Sequence, residues 1–346
     1  FFLFFMFVFT QAAFSVTYYS QSSSNPIVVG NWNTIQTGGG TSPANFISGD
    51  LFIIQTGHVM TIATSSWTIS GAGICQIDSG GTLSCPFSFF TTGVTVASGA
   101  LLTSTASVGV NNGQTGFDFI LNGLYRNSGS TAYGSGATGT CTATGKFQLM
   151  ATTAAGTIPV FTWDAASTIE IVGYTTFANN MGWGNQSFGN IIWNCPNQTG
   201  NINANGTLRT IRGDLTISNT GTGSFRLSNS TTFTMNLTGN LKIDAGVFAL
   251  VSGSGVPSVN VAGNVTVNGG TLKLGTLVTQ TGVSRLTVTG NVLINGGIID
   301  FKDANAATGS NILEVGGNLS LTSGSLIQTG IAAGTEGSLR FTDTTT

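Results

Sequence analysis

The chain has 346 residues, 50 of them glycine, with 6% charged residues and a formal net charge of -2, a balance that excludes recognition of nucleic acid or an anionic membrane by long-range electrostatics. Mean hydropathy is +0.28, yet beyond the N-terminus no apolar run approaches the roughly 20 residues of a membrane-spanning helix. Ser, Thr, Asn and Gly abound, Glu, Lys and Arg are scarce, and Val, Ile and Thr alternate with polar residues over short runs, an all-β composition.

Residues 1–15, from FFLFFMFVFT into QAAFS, read as the apolar region and small-residue cleavage zone of a secretory signal peptide, cleaved after Ser15 with Ala13 at the third position back. The competing reading, a transmembrane anchor over residues 1–9, is too short and has no flanking charge. No initiator Met or basic segment precedes the run, and SLRFTDTTT ends part-way through a repeat, so the expectation is a partial signal peptide on a chain truncated at its C-terminus. The mature chain is then secreted or displayed at a cell surface.

Residues 16–48, with Tyr18, Tyr19 and Trp32, lack the later repeat and are expected as an N-terminal cap over an open sheet edge that would otherwise invite aggregation. The repeat region, 49–346, opens with GDLFIIQTGHVMTI, and GICQIDSGGTLSC restates its strand-turn-strand pattern about 24 residues on. From about 111 to 188 the pattern lapses. Segments such as GSTAYGSGATGTCTATG are expected there as irregular loops on a solenoid face.

Beyond this stretch the repeat is explicit: GNIIW at Gly189, GDLTI at Gly213, GNLKI at Gly239, GNVTV at Gly263, GNVLI at Gly290 and GNLSL at Gly317, at intervals of 24, 26, 24, 27 and 27 residues. A period in the twenties marks a solenoid, and the Leu-dense consensus of leucine-rich repeats is missing. Within each period the alternation resets at Gly or Asn-Gly turns, giving about three short strands. The prediction is an all-β, right-handed parallel β-helix of about 24–27 residues per coil, with an antiparallel hairpin sandwich as the competing reading. Stacking puts Val265 between Leu241 and Val292 in an interior ladder. It also puts Asn190, Asp214, Asn240, Asn264, Asn291 and Asn318 at one corner as a structural Asn ladder. Asn264 and Asn318, like Asn185, Asn197, Asn205, Asn229 and Asn236, fall in N-x-S/T sequons, but a ladder Asn is a poor glycan acceptor and N-glycosylation is discounted.

The segments TYYSQSSSNPIVVGNWNT and ISGDLFIIQTGHVMTI, followed by STIEIVG, FGNIIWNC, GTLRTIRGDLTI and LTGNLKIDAG, resemble large secreted bacterial β-helix surface proteins exported with a C-terminal type IX sorting domain. The resemblance covers most of the chain, and its more specific part is Gly49, Asp50, Gly57 and His58. It implies type IX secretion and an adhesin-like rod or stalk, with activity in appended modules.

Candidate chemistry is sparse. Cys75, Cys85, Cys141 and Cys195 permit disulfides in any of three connectivities or serve as buried apolar residues. With no C-x-x-C pair and His58 as the sole histidine, neither a zinc site nor a catalytic thiol is expected, and no cofactor is implied. The best carboxylate cluster for polysaccharide cleavage is Asp300, Lys302 and Asp303, with Lys273 one coil earlier at the place equivalent to Asp300; a surface ion pair accounts for it as well. His58 in a Gly turn reads as a structural hydrogen-bonding residue rather than a general base. Asp78 and Asp244 take the turn position of Asn268 and Asn295. Trp193 replaces the inward Ile217 and Ile243 and reads as core. Tyr174, Phe177, Trp183 and Phe188 lie in GYTTFANNMGWGNQSFG, where they form a candidate glycan-stacking platform or pack on the solenoid flank. The functional expectation is therefore a non-catalytic extracellular rod whose partners are extracellular polysaccharide or a host or neighbouring cell surface. A carbohydrate-binding β-helix and a pectin-lyase-like lyase or hydrolase are the alternatives.

Overall fold

The computed structural model describes residues 16–47, 49–110, 118–152, 157–176, 181–184, 186–275, 283–302, 310–329 and 337–342; the signal-peptide expectation for 1–15 lies outside them. The chain is a parallel β-helix of about 11 turns, about 53 Å long at one strand spacing per turn. Among the described residues no helix is long and apolar enough to cross a membrane.

Each coil contributes strands to three faces. The middle face runs without a break from Val59–Thr61 to the strand that starts at Leu319, inside a 16-stranded sheet. The first face consists of an 8-stranded sheet ending at Thr162–Trp163, then a 7-stranded sheet beginning at Ser187–Phe188. The third face has a 4-stranded sheet ending at Thr131–Tyr133. It resumes at Asn201–Asn203 with strands joined to the middle-face sheet through the long strand Val292–Asp300.

Register explains why this sequence stacks. On the middle face Leu215, Leu241, Val265 and Val292 pair in succession, and all four are fully buried. Alternate residues face inward, so like apolar side chains form continuous columns while their neighbours stay in water. Large rings pack within a column and across faces: Phe225 and Phe248 pair in register, and Trp193 of the middle face meets Phe225 across the interior. Trp193 stacks on Phe225 at 4.1 Å and 10°, and Phe225 on Phe248 at 5.8 Å and 30°.

Two expectations about coil length are corrected. From Val59 through Thr82, Leu101, Leu124, Lys146 and Thr168 to Asn190 the register steps are 23, 19, 23, 22, 22 and 22 residues, shorter than the 24–27 read from the later coils. The stretch 111–188, expected as irregular loops, holds regular middle-face strands at Leu124–Asn127, Lys146–Leu149 and Thr168–Ile171. Its corners use Gly123, Gly145 and Ser167 without a following Asn, which hid the repeat.

At the N-terminal end Thr17–Ser20 pairs in parallel with Leu51–Ile54, and Trp32–Asn33 folds back antiparallel on its outer side. Trp32 is fully buried and stacks on Trp67 at 5.6 Å. This antiparallel turn ends the parallel sheet, so its edge is not left as a template.

Replacing Trp193 by Ala removes a fully buried ring from the stack, and the expected cost is about 3–5 kcal/mol. Trp193→Phe keeps an aromatic layer and costs less. Urea unfolding checks both, and equal midpoints for wild type and Trp193→Ala contradict the stacked-core description.

Candidate functional site

The proposed glycan platform is overturned by burial. Tyr174, Trp183 and Phe188 expose no surface, and Phe177 lies outside the described residues. Tyr174 stacks on Trp193 at 6.3 Å, and Trp183 meets Phe188 edge-on at 5.5 Å. Tyr174 and Trp183 fill the gap in the third face between Thr131–Tyr133 and Asn201–Asn203, where no strand walls the interior, and Phe188 points inward from the first-face strand Ser187–Phe188. A buried face cannot stack on a sugar.

The corner residues form a hydrogen-bonded ladder. The Asp214 backbone N–H donates to Asn190 Oδ1 at 2.9 Å, Asn240 to Asp214 Oδ1 at 2.7 Å, Asn264 to Asn240 Oδ1 at 2.9 Å, Asn291 to Asn264 Oδ1 at 2.8 Å, and Asn318 to Asn291 Oδ1 at 2.8 Å. The preceding glycine is part of the same device. A Cβ on Gly263 would lie 2.7 Å from Asn240 Oδ1, and one on Gly290 2.6 Å from Asn264 Oδ1. Only glycine lets the coil close over its neighbour's ladder oxygen.

The charged candidates are internally committed. Asp300 and Lys302, expected at the surface, are only 3% and 2% exposed. Asp300 accepts the Lys302 N–H at 3.0 Å and, at 2.6 Å, the Thr329 hydroxyl from the next coil. Lys273 pairs in register with Asp300, and Asp303 lies outside the described residues. His58 Nδ1 and Ser20 Oγ share a hydrogen bond at 2.7 Å, and the same oxygen accepts the Gln55 N–H at 3.0 Å. This ties the cap strand to the first coil. Asp78 accepts from Gln76 at 2.7 Å and Asp244 from Asn268 at 2.7 Å, both in turns.

Of the two readings of the cysteines, disulfide-bonded or buried apolar, the structure shows the second. All four cysteines are free and buried and occupy inward columns. Burial pushes the Cys141 and Cys195 thiols up to about 12, so they are protonated and unreactive at neutral pH. Among the described residues no group of three His, Cys, Asp or Glu could hold a metal ion.

A surface feature that sequence reading missed lies at the corner where the first face turns into the middle face. The residue just past each first-face strand donates its N–H to the last strand residue of the preceding coil. Asn122 bonds to Val96, Thr142 to Leu121, Asp164 to Cys141, Arg212 to Phe188, Thr238 to Ile211, Ala262 to Leu237 and Thr289 to Val261. Three cavities open along this single column. One of 330 Å³ is lined by Ser98, Asn122, Thr144 and Lys146, one of 280 Å³ by Thr142, Thr162, Asp164 and Arg212, and one of 310 Å³ by Asn236, Thr238, Asn260 and Thr289. No motif marks it, because the column alternates among Thr, Asn, Ala and charged residues and only the register aligns them.

Gly263→Ala is expected to cost about 1–3 kcal/mol through overpacking against the ladder, whereas Asn264→Asp, which keeps the acceptor as Asp214 does, stays within about 0.5 kcal/mol; chemical denaturation compares them. Because all four thiols are free and buried, none is expected to react with an aromatic disulfide reagent in the native chain and all four are expected to react in denaturant; fewer than four titratable thiols reveals a disulfide. No protein-family model, curated protein or solved structure matches this chain, so its site is defined by its own geometry.

Proposed function

We propose that this segment is a non-catalytic extracellular rod, a structural or adhesive stalk at a cell surface. The observation that carries the reading is the middle face, continuous through the whole stack and, from Asn190 to Asn318, bonded coil to coil by the Asn ladder. Such a sheet resists bending because every coil is hydrogen-bonded to both neighbours. Export rests on the apolar run at residues 1–9 and the small residues after it. The resemblance to type IX-exported surface proteins supports the same placement. Its partners are extracellular polysaccharide or the surface of a host or neighbouring cell. Catalysis of the pectin-lyase-like kind is disfavoured by the best carboxylate, since Asp300 is buried and held by Thr329.

The rod reading is tested by spin labels at Thr61→Cys and Ser320→Cys, outward positions of the middle face at opposite ends of the stack. A single narrow distance near 53 Å is expected, about eleven strand spacings; a broad or much shorter distribution overturns it. Incubation with a panel of acidic polysaccharides is expected to release no product. Release that Asp300→Ala abolishes overturns the non-catalytic assignment.

A further inference from the structure

We infer that the corner between the first and middle faces is a binding groove for a neutral, extended polysaccharide chain lying parallel to the solenoid axis. Its three cavities share one backbone-bonded column. From the coil of Ser98 to that of Thr289 the column spans about 38 Å at one strand spacing per coil. That is a track, long enough for several sugars, rather than an enclosed pocket.

The lining decides the ligand's charge. Thr144, Thr162, Thr238 and Thr289 offer hydroxyls, and Asn236 and Asn260 offer amides that can both donate and accept. The charged groups beside them already have partners. Lys146 pairs with Glu170 at 2.6 Å, Arg212 reaches across the intervening coil to the Trp163 carbonyl, and Asp164 accepts the Ala166 N–H at 2.8 Å. Lys146 is thus neutralised by Glu170, and Arg212 and Asp164 in the middle cavity are of opposite sign, so the track holds no excess of one charge to favour an anionic or cationic chain, while sugar hydroxyls find groups of their own kind.

Periodicity decides the ligand's shape. Corner groups recur once per coil at about 4.8 Å, so a ribbon-like glycan that advances by about one sugar per coil meets one corner residue at each step. Each contact is weak, and affinity accumulates along the track by linkage of neighbouring contacts. Longer oligosaccharides thus bind more tightly than short ones. This names the partner of the adhesive rod and rests on that reading only in requiring the coils to be stacked.

The full chain is tested for retention on insoluble cellulose, chitin and mannan, with pectate and alginate as anionic comparisons. Retention is expected on at least one neutral polymer, with affinity for its soluble oligosaccharides rising with length. The triple substitution Thr238→Glu, Ala262→Glu and Thr289→Glu, at exposed positions, is expected to weaken it at least tenfold. Asn197→Glu, Thr199→Glu and Thr222→Glu, on exposed turns past the middle face, leave it unchanged. Retention on no neutral polymer, or equal binding by wild type and the edge triple, overturns the proposal. Should the edge triple lose its circular-dichroism signature, Ser98→Glu with Thr144→Glu at the first cavity replaces it under the same criteria. The end-to-end label distance is measured on the same protein. Absence of binding by the otherwise wild-type labelled chain with that distance intact overturns the groove alone, whereas a collapsed distance overturns the rod.

Discussion

Every other feature of this molecule depends on parallel, in-register stacking, in which a residue's neighbours in space are its counterparts one coil before and after. The constraint is severe because a column admits only side chains that tolerate copies of themselves or close relatives at the strand spacing. Aliphatic residues satisfy it inside, as Leu241, Val265 and Val292 do. Aromatic rings satisfy it by stacking, as in the in-register pair Phe225 and Phe248. Isolated charges do not, which accounts physically for a chain with only 6% charged residues. Glu314 shows the exception. Although partial burial works against its charged form, bonds from Arg285 and Thr287 and the nearby charges of Arg285 and Arg340 prevail and hold its carboxyl below the usual range.

The same constraint couples two residues that look independent in sequence. A ladder Asn places its Oδ1 over the next coil's glycine, and that glycine can carry no Cβ without striking it. Glycine and Asn therefore travel as a pair, and the pair recurs wherever the corner is turned this way. Earlier coils turn the equivalent corner with Thr82, Leu101, Leu124, Lys146 and Thr168 in the ladder place. There backbone pairing and individual side-chain bonds, such as Thr144 Oγ1 donating to the Asn122 carbonyl at 2.8 Å, take the place of the ladder, and the coils are shorter.

Much of the architecture was legible because stacking writes itself into sequence as a period. The Gly-Asn pairs from Gly189 onward gave the coil length, the ladder and the interior partners of Val265. Legibility failed where a property depends on what lies one coil away rather than on the local pattern. Tyr174, Trp183 and Phe188 sit among Gly and Asn and look exposed, yet Tyr174 and Trp183 fill the space of a missing third-face strand and Phe188 takes the inward place of a first-face strand. Asp300 and Lys302 have outward parity on their strand, but the segment at Thr329 covers them. The cysteines were compatible with pairing or burial, and only the columns they occupy distinguish the two. The corner groove left no trace in sequence at all, since its residues share a register and not a type.

The central claim is that each coil is held by its immediate neighbours and by little else. Hydrogen exchange, read by mass spectrometry on the Ile243→Ala variant, tests it most directly, because Ile243 is fully buried between Ile217 and Val267. Nearest-neighbour coupling predicts that protection falls in Leu215–Asn219, Leu241–Ile243 and Val265–Val267 and is retained in distant strands such as Leu51–Ile54. An even loss of protection along the whole chain would contradict it.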